Sequence, residues 1–133
     1  MIEAKGVRKA YGDRLLMDDA TYPWLILVPR RADVWEIYQL AEADRRALGE
    51  EVALVSRVLA ALTGCDKINV AALGNIVAQL HVHVVARFRN DPAWPAPVWG
   101  RSTPQAWGEA DLARFTAGLR AGLGNDFRHH PLG

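Results

Sequence analysis

The stretch Gln79-Leu80-His81-Val82-His83-Val84-Val85 is the part of this sequence that decides its interpretation. Polar and aliphatic residues alternate along it, and successive side chains of a β-strand point to opposite faces of the sheet. We therefore predict a strand with Gln79, His81 and His83 on one face and aliphatic side chains on the other. Two imidazoles and an amide inside an ordinary sheet would need many buried hydrogen-bonding partners, so the pattern indicates a functional site.

The alternation resembles the signature of the histidine triad family, in which three histidines alternate with aliphatic residues. Gln79 stands at the first triad position, His81 at the second and His83 at the third. The resemblance covers most of the chain, from about Leu15 to Gly100. It implies an α+β domain that acts on nucleotides, with His81 as the nucleophile.

Two segments beside the strand extend the resemblance. Leu73–Ala78 is similar to the glycine-led approach to this strand in the family, and Trp94–Gly100 is similar to the Trp/Pro/Gly loop that follows it. The chain also departs from the family pattern at two further positions. Ile76 stands where a serine or threonine usually donates to a phosphate or leaving group, and Trp24 stands where many members have a histidine.

The chemistry that the resemblance implies is nucleophilic attack at phosphorus. A neutral imidazole attacks the α-phosphate of a nucleotide, and water or another acceptor then resolves the nucleotidyl-histidine intermediate. A neighbouring group must hold the nucleophile in the right tautomer, and donors must neutralise the charge that grows on the phosphoryl oxygens. We assign catalysis to His81 together with His83 and Gln79. Because an amide cannot titrate, we expect Gln79 to orient rather than react.

Three further residues are candidates for binding the nucleotide. Asp18 occupies the loop where the family places an acidic residue against a ribose, and a carboxylate can accept from both ribose hydroxyls. The alternative for Asp18 and its neighbour Asp19 is an ordinary turn aspartate. Asn69 aligns with a family asparagine that contacts phosphate, and Asn75 takes the place of a common glutamine and can donate to a phosphate oxygen.

Two other functions stay open at this point. The first is a nucleotide-binding or scaffold dimer of the same fold with weakened catalysis, which Ile76 and Gln79 favour. The second is a small metalloprotein that uses His81 and His83 as ligands, although zinc or iron would need further ligands. The remaining histidines and the cysteine are His129, His130 and Cys65. The two further histidines lie near the C-terminus and the cysteine is isolated, so we do not expect them to complete a metal site. We therefore favour phosphoryl chemistry and predict no metal and no other cofactor.

The composition limits the class of protein. A chain of 133 residues, half of them hydrophobic, suits a single domain, which we place at 1–133. The single cysteine excludes an internal disulfide and fits a reducing compartment. A net charge of +1 gives no argument for a nucleic acid or a membrane surface as partner. No apolar run approaches the length of a membrane span, and the charged start lacks the apolar core of a signal peptide, so we expect a cytoplasmic protein.

The order of the predicted strands and helices along the chain indicates an α+β fold with an antiparallel sheet, one long helix and a short C-terminal helix. Apolar residues at spacings of three and four form a stripe on the long helix, and Gly64 follows as its C′ residue. The stripe consists of Leu48, Val52, Val55, Leu59 and Leu62. The other predicted elements are a hairpin of strands at 15–17 and 24–28, a helical turn within 32–40, strands at 67–73 and 79–85, and a helix at 109–123.

Three tryptophans follow the histidine strand, at Trp94, Trp99 and Trp107. We favour a packing role for them, against the sheet edge or a partner subunit, because large aromatic side chains mostly pack. The alternative is a wall of the nucleotide pocket. The resemblance further implies a homodimer, in which two sheets pair and the long helices pack together, and a nucleotide-type small molecule as substrate.

Overall fold

A computed structural model describes residues 12–130, with the backbone alone at 129 and 130. The charged N-terminal residues lie outside this range. The hairpin and both helices form where the sequence predicts them. In chain order the elements are β1 (Gly12–Met17), β2 (Trp24–Pro29), a short 3₁₀ helix (Ile37–Gln39), α1 (Glu42–Thr63), β3 (Lys67–Ala71), β4 (Val82–Arg87), α2 (Glu109–Leu123) and β5 (Arg128–His130).

Within the described residues the strands form a five-stranded sheet in the order β3-β4-β2-β1-β5. The pairs β1–β2, β2–β4 and β3–β4 are antiparallel, which confirms the predicted α+β fold. β5 pairs parallel to β1 and has no counterpart among the predicted strands. Its three residues are too few to show a periodic pattern, and they include the two histidines near the C-terminus.

Helices α1 and α2 cover one face of the sheet, and the predicted stripe of α1 points towards it. Leu48, Val55 and Leu59 are buried there together with Leu119 of α2. Gly64 follows α1 in the left-handed conformation, with φ of 66°, which glycine adopts at little cost. In the described part of the chain, neither helix combines the length and the apolar character that crossing a membrane requires.

β4 carries the alternation that the sequence predicts, although its bounds differ. Val82 and Val84 belong to the core beneath the helices. His83 lies on the opposite face, where its ring contacts the rings of Trp24 and Trp99. The sheet therefore separates an apolar side, which stabilises the fold, from a side that carries the imidazole.

The predicted start of this strand at Gln79 is wrong, because β4 begins at Val82. Its neighbour β2 ends at Pro29, which has no N–H to donate to a ladder of backbone hydrogen bonds. The last residue pair between the two strands is Leu27 with Val82. The residues from 79 to 81 therefore lie beyond the end of the ladder.

A second apolar cluster lies on the histidine side of the sheet, beneath the segment that joins β4 to α2. Arg87 fixes this segment, because its guanidinium donates to both carboxylate oxygens of Asp91 at 2.8 and 3.0 Å and to the carbonyl of Ala96 at 2.8 Å. Farther along, the Oδ1 of Asp19 accepts from the backbone N–H of Gln105 at 3.3 Å. The cluster consists of Met17, Tyr22, Trp24, Ile26, Val85, Ala93 and Val98.

The three tryptophans of this segment have different surroundings. The ring of Trp94 lies 5.7 Å from the guanidinium carbon of Arg87, and Trp107 stacks on Phe115 with ring centroids 4.9 Å apart. Trp99 instead packs on the histidine face of the sheet. Packing thus accounts for Trp94 and Trp107, whereas Trp99 belongs to the surroundings of the candidate site.

Candidate active site

His81 lies immediately before β4 and its ring is partly exposed. Its Nδ1 is 2.7 Å from the backbone carbonyl oxygen of Gln79. A carbonyl oxygen only accepts hydrogen bonds, so Nδ1 donates, and in the neutral ring the lone pair is then on Nε2. The neutral ring of His81 held in this way presents Nε2 with its lone pair, which is the form that a nucleophile requires.

His83 lies inside β4, opposite Ile26 of β2 and Ala71 of β3, with only 7% of its surface exposed. The indole Nε1–H of Trp24 donates to its Nδ1 over 3.0 Å. An indole N–H only donates, so Nδ1 is the acceptor and the ring proton lies on Nε2. This hydrogen bond holds His83 as a neutral imidazole that can donate from Nε2.

The surroundings of His83 favour its neutral form. Trp24 and Trp99 meet the ring edge-on, with ring centroids 5.6 and 5.0 Å from the imidazole centroid. Burial, followed by repulsion from a charge on His81, lowers the pKa of His83 from 6.5 to about 4. At neutral pH this side chain is therefore a hydrogen-bond donor without a charge.

The two imidazoles are complementary. Their ring centroids are 5.0 Å apart, and the hydrogen bonds at their Nδ1 atoms leave a lone pair on His81 and an N–H on His83. A lone pair suits attack on an electrophilic atom, and an adjacent N–H suits the negative charge that develops during that attack. The arrangement fits nucleophilic chemistry at a phosphoryl group.

Gln79 lies in the segment before β4, not on the strand. Its side-chain amide nitrogen is 3.4 Å from the carbonyl oxygens of both Pro29 and Arg31. These contacts attach the segment that carries His81 to the chain that follows β2. In the structure, the group of Gln79 that contacts the His81 ring is its backbone carbonyl.

We predict that Gln79→Glu disturbs this segment more than Gln79→Ala. A carboxylate at this position cannot donate to the two carbonyl oxygens that it faces, whereas alanine only removes the contacts. We expect kcat to fall about tenfold for the glutamate variant and about threefold or less for the alanine variant. Steady-state rates on a nucleotide substrate, with thermal unfolding as a check on folding, measure the difference. Wild-type kcat in both variants would contradict an orienting role.

The predicted nucleotide-binding residues lie in three different places. Asp18 follows β1 at the end of the sheet where β2 begins, whereas His81 lies at the end where β2 finishes. The Oδ1 of Asp18 accepts a backbone N–H from the segment before α2 at 3.0 Å. Asn69 lies on β3, where its Oδ1 accepts from Arg87 at 2.7 Å. Asn75 is exposed in the loop before β4.

Within the part of the chain that the structure describes, no group of three or more histidine, cysteine, aspartate or glutamate side chains is placed to hold a metal ion. His81 and His83 thus have no third protein ligand there. A structural or catalytic zinc site needs at least three such ligands.

Trp24 and Trp99 contact His83 but are not among the site residues assigned from the sequence, which suggests Trp99 only as part of a possible pocket wall. Trp24 is visible there only as the first residue of an apolar run and as a departure from the family pattern. Its position beside His83 depends on the register of β2 against β4, which pairs Trp24 with Val85. The place of Trp99 depends on the path of a proline-rich segment, for which periodicity gives no signal.

The fold and site together define an α+β domain that carries two neighbouring histidines, and comparison with known proteins identifies its family. A family model described as the HIT domain matches residues 13–90. The chain belongs to this histidine triad family, whose members generally act on nucleotides. Among curated proteins there is no significant match.

Three solved structures of histidine triad proteins are similar to this chain over most of their length. The protein from Bradyrhizobium japonicum is 42% identical, over 90% of this chain and 96% of that one, with a TM-score of 0.82. The protein from Sinorhizobium meliloti is also 42% identical with the same coverage, and its TM-score is 0.78. The protein from Marinobacter aquaeolei is 45% identical over 87% of this chain and 85% of that one, with a TM-score of 0.82.

Proposed function

We propose that the chain is a nucleotide hydrolase or nucleotidyl transferase that acts at the α-phosphate of a nucleotide conjugate or a dinucleoside polyphosphate. The observation that supports this most is the pair of opposite hydrogen bonds at the Nδ1 atoms of two neighbouring rings. The Nδ1 of His81 donates, which leaves the lone pair of the neutral ring on Nε2, whereas the Nδ1 of His83 accepts, which places its proton on Nε2. Membership of the HIT family supports a nucleotide as the class of substrate.

The proposed reaction consists of two displacements at phosphorus. The Nε2 of His81 forms a bond to the α-phosphorus, and the bond to the leaving group breaks with its electron pair on the leaving oxygen or nitrogen. The Nδ1–H of His81 stays bonded to the Gln79 carbonyl and stabilises the charge on the substituted ring. His83 donates to a phosphoryl oxygen. Water then attacks the phosphorus and gives a proton to solvent, and the bond between phosphorus and Nε2 breaks with its electron pair on Nε2, which restores His81 and releases a nucleoside monophosphate.

For the nucleotide itself we propose contacts from Asp18 to the ribose and from Asn69 and Asn75 to phosphate. Asn75 is supported by its exposed place in the loop that leads to His81. The Oδ1 of Asn69 accepts from Arg87, so its amide nitrogen is the group that would donate to phosphate. The Oδ1 of Asp18 already accepts a backbone N–H, and a ribose hydroxyl would be a further donor to the same carboxylate.

A catalytically weakened nucleotide-binding or scaffold dimer of the same fold is the second candidate. Ile76 supports it, because this residue is 97% exposed in the loop before β4 and its side chain has no donor for a leaving group. Gln79 supports it as well, because its amide is directed to backbone carbonyls.

Incubation of the purified protein with adenosine phosphoramidate and with diadenosine polyphosphates, with and without a chelator, tests the proposal. We expect adenosine monophosphate to be released in both conditions. Calorimetric binding of adenosine monophosphate without any turnover would support the second candidate instead. Activity that a chelator removes and zinc restores would support a metal site.

We also propose that the protein is a homodimer that pairs through β3. This strand lies at an edge of the sheet, so within the described residues its outer N–H and C=O groups have no neighbouring strand. Apolar residues on the strand and the adjoining chain are exposed, and a second copy would cover them. They are Leu62, Val70, Leu73, Ile76 and Val77.

We predict that Val70→Lys converts this dimer to a monomer, because a lysine on an edge strand opposes pairing with another strand. Light scattering at micromolar concentration should give twice the chain mass for the wild type and the single mass for the variant. Ala110→Lys, at an exposed position of α2, is the control and should stay dimeric. A wild-type monomer at every concentration would contradict the proposal.

A further inference from the structure

Trp24 has a place in the site that the proposed reaction does not yet use. It is 9% exposed at the start of β2, and its single N–H is directed to the Nδ1 of His83. Trp99 packs edge-on against both rings, with centroid distances of 5.5 Å to Trp24 and 5.0 Å to His83. Two indoles therefore touch the same imidazole, one through a hydrogen bond and one through its ring.

We propose that Trp24 is a positioning residue whose indole N–H fixes His83 with its proton on Nε2, so that His83 remains a neutral donor beside the nucleophile. The inference rests on the proposed function, because the donor serves a phosphoryl group. In this inference Trp24 orients His83. The family pattern has no tryptophan in this role, because many members have a histidine at the position of Trp24.

The chemistry of the indole explains why it suits this place. A neutral imidazole has two tautomers, and a histidine partner can exchange donor for acceptor or take up a proton itself. The indole N–H can do neither, since it only donates and does not titrate in the physiological range. The tautomer of His83 in this chain therefore does not depend on the protonation of its partner.

The other groups described around His83 do not compete for its Nδ1, so we infer that the hydrogen bond from Trp24 selects the tautomer. The residues opposite it in β2 and β3 are apolar, and Arg87 on the same face of β4 is paired with Asp91. His81 is the titratable neighbour whose charge acts on the ring. A hydrogen bond accepted at Nδ1 also stabilises the neutral ring, in the same direction as the burial that lowers the pKa of His83 to about 4.

Nuclear magnetic resonance of the nitrogen-15 labelled wild type tests the inference without any need for turnover. Long-range proton–nitrogen spectra report which ring nitrogen carries the proton. We expect His83 as a single Nε2–H tautomer from pH 5 to 8, and a scalar coupling across the hydrogen bond between Trp24 Nε1 and His83 Nδ1. An Nδ1–H tautomer, or no coupling to Trp24, would overturn the inference.

Two aromatic substitutions separate the hydrogen bond from the burial. Trp24→Phe removes the donor, and Trp99→Phe is the matched control, because each loses one indole from the surroundings of His83. We expect mixed tautomers of His83 in the first variant and the single Nε2–H form in the second. The pKa of His83 should rise by about one pH unit more in Trp24→Phe than in the control. Equal tautomer ratios and pKa values in the two variants would overturn the inference.

Kinetics then connect the hydrogen bond to the reaction. For Trp24→Phe we expect kcat to fall roughly 10-fold to 100-fold with little change in KM, and a new ionisation in its pH–rate profile. Trp99→Phe, which keeps the hydrogen bond to the Nδ1 of His83, should lose less of its kcat and show no new ionisation. If the protein has no turnover but the spectra show the expected tautomer and coupling, the proposed function fails while the role of Trp24 stands. Turnover with an unchanged profile in Trp24→Phe would overturn that role.

Discussion

His81→Ala is expected to remove turnover while nucleotide binding survives. The substitution deletes the atom that forms the bond to phosphorus, so the reaction loses its covalent step, whereas the remaining pocket is unchanged. We expect kcat to fall about 10⁴-fold or more, which is the scale seen when a nucleophile is deleted. The affinity for adenosine monophosphate, measured by calorimetry, should change by about threefold or less.

Two controls separate a nucleophile from a residue that only supports the site. His81→Gly leaves space beside the Gln79 carbonyl, and free imidazole added to this variant should restore part of the rate. His83→Gln keeps an N–H donor at position 83 but displaces it from the place of the imidazole Nε2–H. We expect kcat to fall by about 10²-fold, as for a displaced donor. Near-wild-type turnover in His81→Ala would show that the covalent assignment is wrong.

The pair of histidines in the site was predictable because the alternation of polar and aliphatic residues that reveals it lies within one short stretch of sequence. The sequence places the two imidazoles two residues apart in an extended stretch, which predicts that they lie on one side, and their ring centroids are 5.0 Å apart although β4 begins only at Val82. The apolar stripe on α1 and the glycine that follows the helix are also local features, because they depend on residues three and four apart in the chain. These features need no knowledge of which elements become neighbours.

The features that could not be predicted from the sequence depend on pairing between residues that are far apart in the chain. β4 begins late because Pro29, about fifty residues earlier, ends the strand beside it. The position of Gln79 follows from that ending, since its amide contacts the chain after β2. Trp24 reaches His83 only because of one register among several that the apolar run allows. Local alternation identified the two imidazoles, whereas tertiary pairing determined the groups that contact them.

The largest expected effect on stability concerns the ion pair between Arg87 and Asp91, whose side chains are 1% and 3% exposed. Asp91→Ala would leave a buried guanidinium without its carboxylate, and the hydrogen-bond acceptors that remain to it among the described residues are the oxygens of Asn69 and Ala96. Removing one partner of a buried pair costs about 3–5 kcal/mol, because the remaining charge stays without hydration. Urea unfolding should show a decrease of this size in the free energy of unfolding.

Glu42→Ala is the matched control, because Glu42 and Arg46 form an ion pair at the same sequence spacing but with side chains 68% and 77% exposed. Its cost should be about 0.5 kcal/mol or less, since water and salt screen such pairs. A loss below about 1 kcal/mol in Asp91→Ala would contradict the structural importance of the buried pair.

The pH dependence gives an independent check on the same pair. Burial alone would raise the pKa of Asp91, but hydrogen bonds from Arg87 and from the backbone N–H groups of Phe88 and Trp94 hold it at about 2. In the unfolded chain an aspartate titrates near 3.9. The folded state thus binds its proton less readily, so the stabilisation is complete above about pH 4 and disappears as the pH falls through about 2. Asp91→Asn cannot titrate, so the difference in unfolding free energy between wild type and this variant should shrink across that interval. A difference independent of pH between 5 and 2 would show that the carboxylate does not stabilise the fold through its charge.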